Sequence, residues 1–314
     1  MFESFNTEEF GKFLRDVRES LNLTQSNVER MTGLNRDTVR RIEQGKVLIR
    51  YDTLVLLSSA YKKDLLEDLK TYGSSSILLN YYRKLDDLII HYDVETLQDL
   101  KRDFKNFSKT EKIDNPIDYN SKKQFDKLLS GISKYNSKYP EKSYEDFFQA
   151  MLLGNPLFNI SDYKNYKYTI LEMRILLMLA LVLSFHNKFI DSNEILIYCL
   201  EQINLNKNST MNEKLLGIKL YSNISYNYHR NDNHVLALKY ADEGLDFCKK
   251  SYIFYGLANL LYRKGMAQYF LEVLDYKSSL QQSVNMLIIE NKNDLAQKYV
   301  EVTKESYGII LDLE

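Results

Sequence analysis

TQSNVERMTGLNRDTVRRIEQGK, residues 24–46, decides how this chain is read. Two short helical patterns flank a three-residue break, Thr32-Gly33-Leu34. Thr24 is placed to cap the first, because its hydroxyl can accept from the free N–H groups of a first helical turn. Val28 and Met31 recur at helical spacing and are expected to face inward. Gly33 supplies a tight exit, since it alone takes positive φ without steric cost. Asn35 is expected to cap the second helix, with Val39 and Ile42 inward and Gly45 ending it in a left-handed conformation. That leaves Arg36, Asp37, Arg40 and Arg41 on the outward face.

Working outward, residues 8–21 read as a helix with Phe10, Phe13, Leu14, Val17 and Leu21 on one stripe. A fourth helix starts at Asp52 or Thr53 and carries Leu54, Leu57 and Tyr61. Asp64 starts a fifth with Leu65, Leu66 and Leu69. Residues 1–72 thus form a five-helix unit. GSSS at 73–76 is the best boundary, leaving 73–314 as a second domain. A periodic stretch at 77–92 reads as a helix linking the two, and the next is capped by Asp93. Residues 113–120 read as a loop or a tight turn. Helical patterns resume at 122–134, 144–153, 168–187 and 192–205. No run alternates with period two, so the chain is expected to be all-α. With three prolines and eleven glycines, breaks are few and helices long.

The class of the larger domain turns on LYSNISYNYHRNDNHVLALKYADEGLDFCK, residues 220–249. Tyr221, Ile224, Ser225 and Tyr228 mark a first helix, and residues 230–234 turn the chain. Ala237, Ala241 and Gly244 mark a second, small enough to let two helices approach closely. The spacing is that of a tetratricopeptide repeat, with Ser225 where a glycine is usual. A weaker copy starts near Leu257, with Leu261 and Gly265, a turn at 272–275 and a helix at 277–290. Residues 294–307 close the array. One helix pair cannot bury its own apolar faces, but a stack can. The reading is an α-solenoid of degenerate tetratricopeptide-like pairs, with Tyr228, Ala237, Leu238, Ala241 and Leu260 in its core. A generic helical bundle is the alternative.

Composition narrows the function. Lys plus Arg number 42 against 43 Asp plus Glu, so any nucleic-acid binding must come from where charge lies. Cys199 and Cys248 are far apart, and His91, His186, His229 and His234 form no ligand motif. No metal or other cofactor is expected. No Gly-rich phosphate loop or nucleophile elbow occurs, and an enzyme is not expected. The N-terminus lacks a signal-peptide core, and the most apolar run, 175–185, is too short for a span, which needs about 20 residues. A cytoplasmic protein without membrane contact is the expectation.

A short helix, a tight break and an arginine-rich second helix make either a helix-turn-helix or plain packing. LNLTQSNVERMTGLNRDTVRRIEQGK, residues 21–46, resembles the Cro/C1-type (Xre-like) helix-turn-helix family over about residues 10–69. The matching features are Thr24-Gln25, Gly33, Val39 and Ile42-Glu43-x-Gly45. The resemblance implies that the third helix enters the major groove of double-stranded DNA. It places Arg36, Asp37 and Arg41 at base-reading positions, and Gln25 and Asn35 at phosphates. It also implies a structural pair between Glu43 and Arg18. Arginine chemistry agrees, since a guanidinium can pair bidentately with guanine. Asp37 has two uses: accepting from cytosine N4, or orienting Arg36 or Arg40. Arg40, Lys46 and Arg50, with Arg30 beside them, supply phosphate attraction. The acids Glu3, Glu8 and Glu9 must then lie away from DNA. A homodimer on a palindromic operator follows from the modest affinity of one such unit.

The order of the two domains is similar to that of the peptide-pheromone-responsive regulators of Gram-positive bacteria, the Rgg-, PlcR-, PrgX- and ComR-like (RRNPP) group. This resemblance implies quorum sensing: a short signalling peptide bound in a concave groove, with dimerisation through the repeats. On the first helices of the pairs, Asn223, Asn227 and Asn259 would clamp a peptide backbone. Tyr226 and Tyr262 would wall side-chain pockets, and Arg230 or Arg263 would meet a terminal carboxylate. The alternative is a DNA-binding regulator without a peptide, controlled by an antirepressor-like protein partner.

Overall fold

The computed structural model describes residues 7–72, 81, 84–85, 94–110, 116–137, 140–203, 205–206 and 209–313. Every regular element among them is helical. The chain divides into two compact units, Met1–Asp86 and Asp87–Glu314. The expected boundary at 73–76, most of the expected linking helix at 77–92, and the Asp93 cap lie outside the described residues.

The first unit holds α1 (Thr7–Ser20), α2 (Gln25–Thr32), α3 (Arg36–Glu43), α4 (Tyr51–Tyr61) and α5 (Leu65–Thr71). Thr24 caps α2 in a reciprocal box: its Oγ1 accepts from Asn27 N at 3.1 Å, and Asn27 Oδ1 accepts from Thr24 N at 2.9 Å. Gly33 is left-handed at φ 74° and ends α2. Asn35 Oδ1 accepts from Asp37 N at 2.7 Å and caps α3. Asp64 caps α5 through the N–H groups of Leu66 and Glu67. Gly45 has φ 68°, and a Cβ there would stand 2.6 Å from the Glu8 backbone. The start of α1 therefore crosses the end of α3 too closely for any side chain.

Phe10, Leu14, Val28, Val39, Ile42, Leu54, Leu57, Tyr61 and Leu65 form the core of this unit. Two expected inward residues do not join it. Met31 is 53% exposed and Leu21 44%. The cause is length: α2 has only eight residues and buries Val28 alone. Leu21 falls beyond α1, where the chain turns through Asn22 at φ 55°.

The second unit runs through α6 (Val94–Thr110), α7 (Pro116–Tyr135), α8 (Tyr144–Gly154), α9 (Ile170–Phe185) and α10 (Phe189–Ile203). It continues through α11 (Met211–Arg230), α12 (His234–Ser251), α13 (Leu257–Phe270), α14 (Tyr276–Ile289) and α15 (Asn293–Tyr307). Residues 116–120, expected as loop, belong to α7. Proline suits that first helical position, because its missing N–H would have no partner there anyway.

From α7 onward each helix packs mainly on its chain neighbours, and α7, α9, α11 and α13 also touch in sequence. The architecture is the α-solenoid of tetratricopeptide-like pairs. Ala237, Ala241 and Leu260 are buried, whereas Tyr228 and Leu238 are half-buried. Gly244 lets α12 close on its neighbours, since a Cβ there would come within 2.9 Å of Tyr221 Cβ on α11.

Ser225 does not act as a mere small residue. Its Oγ donates to Ala237 O at 2.7 Å, tying α11 to α12. Ser192 makes the same bond to Ala180 O, and Ser283 to Ala258 O, each at 2.7 Å. A buried hydroxyl on an alanine carbonyl thus recurs along the stack, and each bond satisfies a donor that could not be buried alone. At the far end, Ile309 and Leu311 are buried, and Gln281 brackets the Asp312 backbone through both its N–H and its carbonyl.

Candidate functional site

In the first unit the exposed side of α3 carries Arg36, Asp37, Thr38, Arg40 and Arg41, while Val39, Ile42 and Glu43 face in. Arg18 and Glu43 fix this helix from behind. Arg18 Nε donates to Glu43 Oε1 at 2.6 Å and Nη2 to Oε2 at 3.1 Å, both side chains being buried. Arg18 Nη1 also reaches Leu23 O at 2.6 Å. The hydrogen bond to Glu43 is the chief cause that raises the Arg18 pKa. Tyr61 packs beside the pair, and burial followed by the Glu43 charge pushes its phenol well up.

Gln25 Nε2 donates to Glu43 Oε2 at 2.8 Å. The amide expected at a phosphate is therefore engaged with the buried pair, with one N–H left over. Asn35 and Lys46 are exposed. Arg40 pairs with Asp37 at 2.5 Å, and Arg50 with Asp52 at 3.2 Å. Both pairs are solvent-exposed, so they cost little to open. Of the two uses open to Asp37, orienting Arg40 is the one formed here. Arg36, Arg41 and Lys46 have no carboxylate partner among the described residues.

Sequence reasoning missed Glu29. Its Oε1 accepts from Arg36 N at 3.1 Å and ties α2 to the first turn of α3. Its seven-residue separation from Arg36 across Gly33 was the available signal.

In the solenoid the expected peptide-contacting residues separate into two groups. Asn227 is fully buried. It accepts from Ser184 Oγ at 2.6 Å and donates to Ser192 Oγ and Asn193 Oδ1 at 2.9 and 3.0 Å. It joins α9, α10 and α11 and is not a groove residue. A buried amide needs its bonds made inside the protein, and here they are. Asn223 donates back to Lys219 O at 2.8 Å. Asn259 accepts from Tyr299 Oη at 2.6 Å, and Tyr262 Oη bonds Thr303 at 2.9 Å. Those two residues of α13 thus face the closing helix α15.

Tyr226, Arg230 and Arg263 come together instead. The Arg263 guanidinium lies 4.5 Å from the Tyr226 ring centroid, and that of Arg230 lies 5.9 Å from it. Arg230 Nη1 donates to Tyr226 Oη at 3.2 Å and the group also stacks over Phe189. Beside them His229 and His234 approach Nδ1 to Nδ1 at 3.1 Å. Burial pushes the His229 pKa down to about 4, helped by His234, Arg263 and Arg230. A small pocket of about 100 Å³ lies between α10 and the end of α11, lined by Phe189, Ile190, Asn193, Glu194, Ile197, Tyr228 and Asn231. Among the described residues no cluster of three or more His, Cys, Asp or Glu could hold a metal, and no helix is long and apolar enough to cross a membrane.

Residues 14–67 match the family model described as Helix-turn-helix. That span contains α2, Gly33 and α3 with both caps. The chain is similar to PlcR of Bacillus thuringiensis, solved in complex with the peptide PapR7 and DNA. The TM-score is 0.67 at 15% identity, over 93% of this chain and 99% of that one. The likeness is one of fold. It is also similar to the SHP pheromone receptor Rgg2 of Streptococcus dysgalactiae (TM-score 0.59, 15% identity, 95% and 98% covered). ComR of S. thermophilus, solved with DNA and its signalling peptide ComS, gives 0.58 at 15% identity, with 96% and 100% covered. No curated protein sequence matches the chain significantly.

Proposed function

We propose that this chain is a sequence-specific, DNA-binding transcription regulator whose solenoid receives a short signalling peptide that changes DNA binding. The observation that carries the reading is the exposed Arg36, Asp37, Arg40, Arg41 face of α3. It stands on a fold shared over more than nine-tenths of the chain with PlcR, Rgg2 and ComR. Arg36, Asp37 and Arg41 read base edges. Asn35, Arg40, Lys46, Arg50 and the remaining N–H of Gln25 meet phosphates. The regulator works in the cytoplasm as a homodimer, and its operator is a palindrome with half-sites about one helical turn apart.

Selection of randomised duplex DNA by the full-length protein, with and without a mixed heptapeptide library, tests this. Recovery of a two-fold-symmetric sequence whose retention changes with peptide supports both halves. Recovery of no preferred sequence sinks the DNA half; a symmetric sequence indifferent to every peptide sinks the sensing half. In that second case a protein partner takes the peptide's place. The exposed Tyr252 and Phe254, 91% and 69% accessible, favour such a partner, because exposed aromatics suit protein contacts.

A further inference from the structure

Residues 308–313, which follow α15, lie on the last helices of the stack as an extended chain. Ile309 and Leu311 are buried in one core with Met266, Leu280, Val284 and Ala296, while Ile310 between them is 63% exposed. That period of two belongs to a strand. Gln281 on α14 treats it as one. Its Nε2 donates to Asp312 O at 2.8 Å, and its Oε1 accepts from Asp312 N at 2.9 Å. One side-chain amide thus meets both backbone groups of one residue, as a neighbouring strand would. Gln281 Nε2 also donates to Asn285 Oδ1 at 2.8 Å, which holds the amide in place.

In a strand the N–H and C=O of one residue point to the same side, and those of the next residue to the other. With Asp312 turned towards α14, Ile309, Leu311 and Leu313 present theirs on the far edge. Among the described residues none of these three makes a hydrogen bond. Buried backbone groups without a partner are rare, so this edge faces solvent. Residues 308–313, GIILDL, also lack the Pro and Lys that commonly block such edges.

We propose that residues 309–313 pair antiparallel with the same residues of a second copy, about a two-fold axis at Leu311. This rests on the homodimer reading above. Centring on Leu311 uses the whole free edge. Leu311 exchanges both bonds with Leu311 of the partner subunit, and Ile309 does so with Leu313 of the partner subunit. Each Asp312 then stands opposite an isoleucine, whereas centring on residue 312 sets two carboxylates face to face. Leu313 is on the inward row yet 44% exposed, and the pairing lays it against Ile309 of the partner subunit. Two strands alone are marginal in water, so this contact adds to a dimer and does not build one by itself.

The test is a register-specific disulfide in the full-length protein. Residue 310 of one copy lies directly opposite residue 312 of the other in a non-hydrogen-bonded pair, about 4.5 Å apart at Cα, which a disulfide spans. Like positions, 310 with 310 or 312 with 312, stand about 8 Å apart, too far to bridge. I310C and D312C change exposed side chains, and the native Cys199 and Cys248 are buried. An equal mixture of the two variants in a glutathione buffer should give an I310C–D312C linked dimer about tenfold or more above either variant alone. Adding L313P to both variants removes a donor from the free edge and should abolish the link. L313A, which keeps that N–H, should retain it and shows that loss is not misfolding.

Equal linking in the mixture and in the single variants, or no link at all, overturns the strand pairing. Native mass spectrometry of the unsubstituted protein separates this from the homodimer reading. A dimer whose variants do not link overturns the pairing while the homodimer stands. A monomer whose variants do not link overturns both.

Discussion

The two units differ in how their buried polar groups are distributed. In the first, one charged pair, Arg18–Glu43, joins α1 to α3 and is completed by Gln25 from α2. The second has a charged contact of its own, Lys134 with Asp146, but what recurs along its stack is neutral: Ser192, Ser225 and Ser283 on alanine carbonyls, and Asn227 between three helices. A small domain with one core can use a single strong contact to orient α3. A stack must repeat a weaker one at each seam, because each seam meets only its neighbours.

The largest expected effect breaks the charged side of this comparison. Arg18→Ala strands a buried Glu43 and should destabilise the first unit by about 3–5 kcal/mol. Urea unfolding followed by signals from that unit reads it, and a loss below 1 kcal/mol would refute the account. Next comes the neutral side. Asn227→Ala orphans the Ser184, Ser192 and Asn193 bonds and should cost about 2–4 kcal/mol. Ser225→Ala removes one bond and should cost about 1 kcal/mol. Equal losses in the two variants would mean that the asparagine is no hub.

Smaller effects sharpen what the fixed helix does. Arg41→Ala should cost about 1–3 kcal/mol of discrimination at one base pair per half-site. Lys46→Ala should weaken all sequences alike and lower the salt slope by about one. Uniform scaling in both variants would show that the reader and the phosphate contact are misassigned. The smallest effect is one of pH. His229 titrates at about 4 in the fold, below the usual histidine value. Its depressed pKa means that the unfolded chain binds the extra proton first. Its contribution is complete above about pH 6.5 and is lost as pH falls towards 4. Thermal unfolding of His229→Gln should therefore show a shallower loss over that window, and parallel curves would contradict it.

The first unit was largely legible because its signals are local. Thr24, Gly33, Asn35, Gly45 and Asp64 act on the backbone within a few residues of themselves. Leu21 and Met31 misled because periodicity continues past the point where a short helix stops burying its face. In the solenoid the helices were legible from length and small-residue spacing. The fate of each asparagine was not. Asn227 and Asn223 lie one turn apart on α11, yet Asn227 is buried by partners 34 to 43 residues away. Nothing local tells the two apart. The convergence of Arg230 and Arg263 on Tyr226 also depends on how neighbouring pairs stack.

The serine ties have a consequence in time. Ser192 and Ser225 each bond a carbonyl only twelve residues away in the chain. Such short loops lose little entropy on closing, so each seam can form soon after its second helix exists. A nascent chain can thus zip the solenoid pair by pair as it is made, without waiting for distant segments.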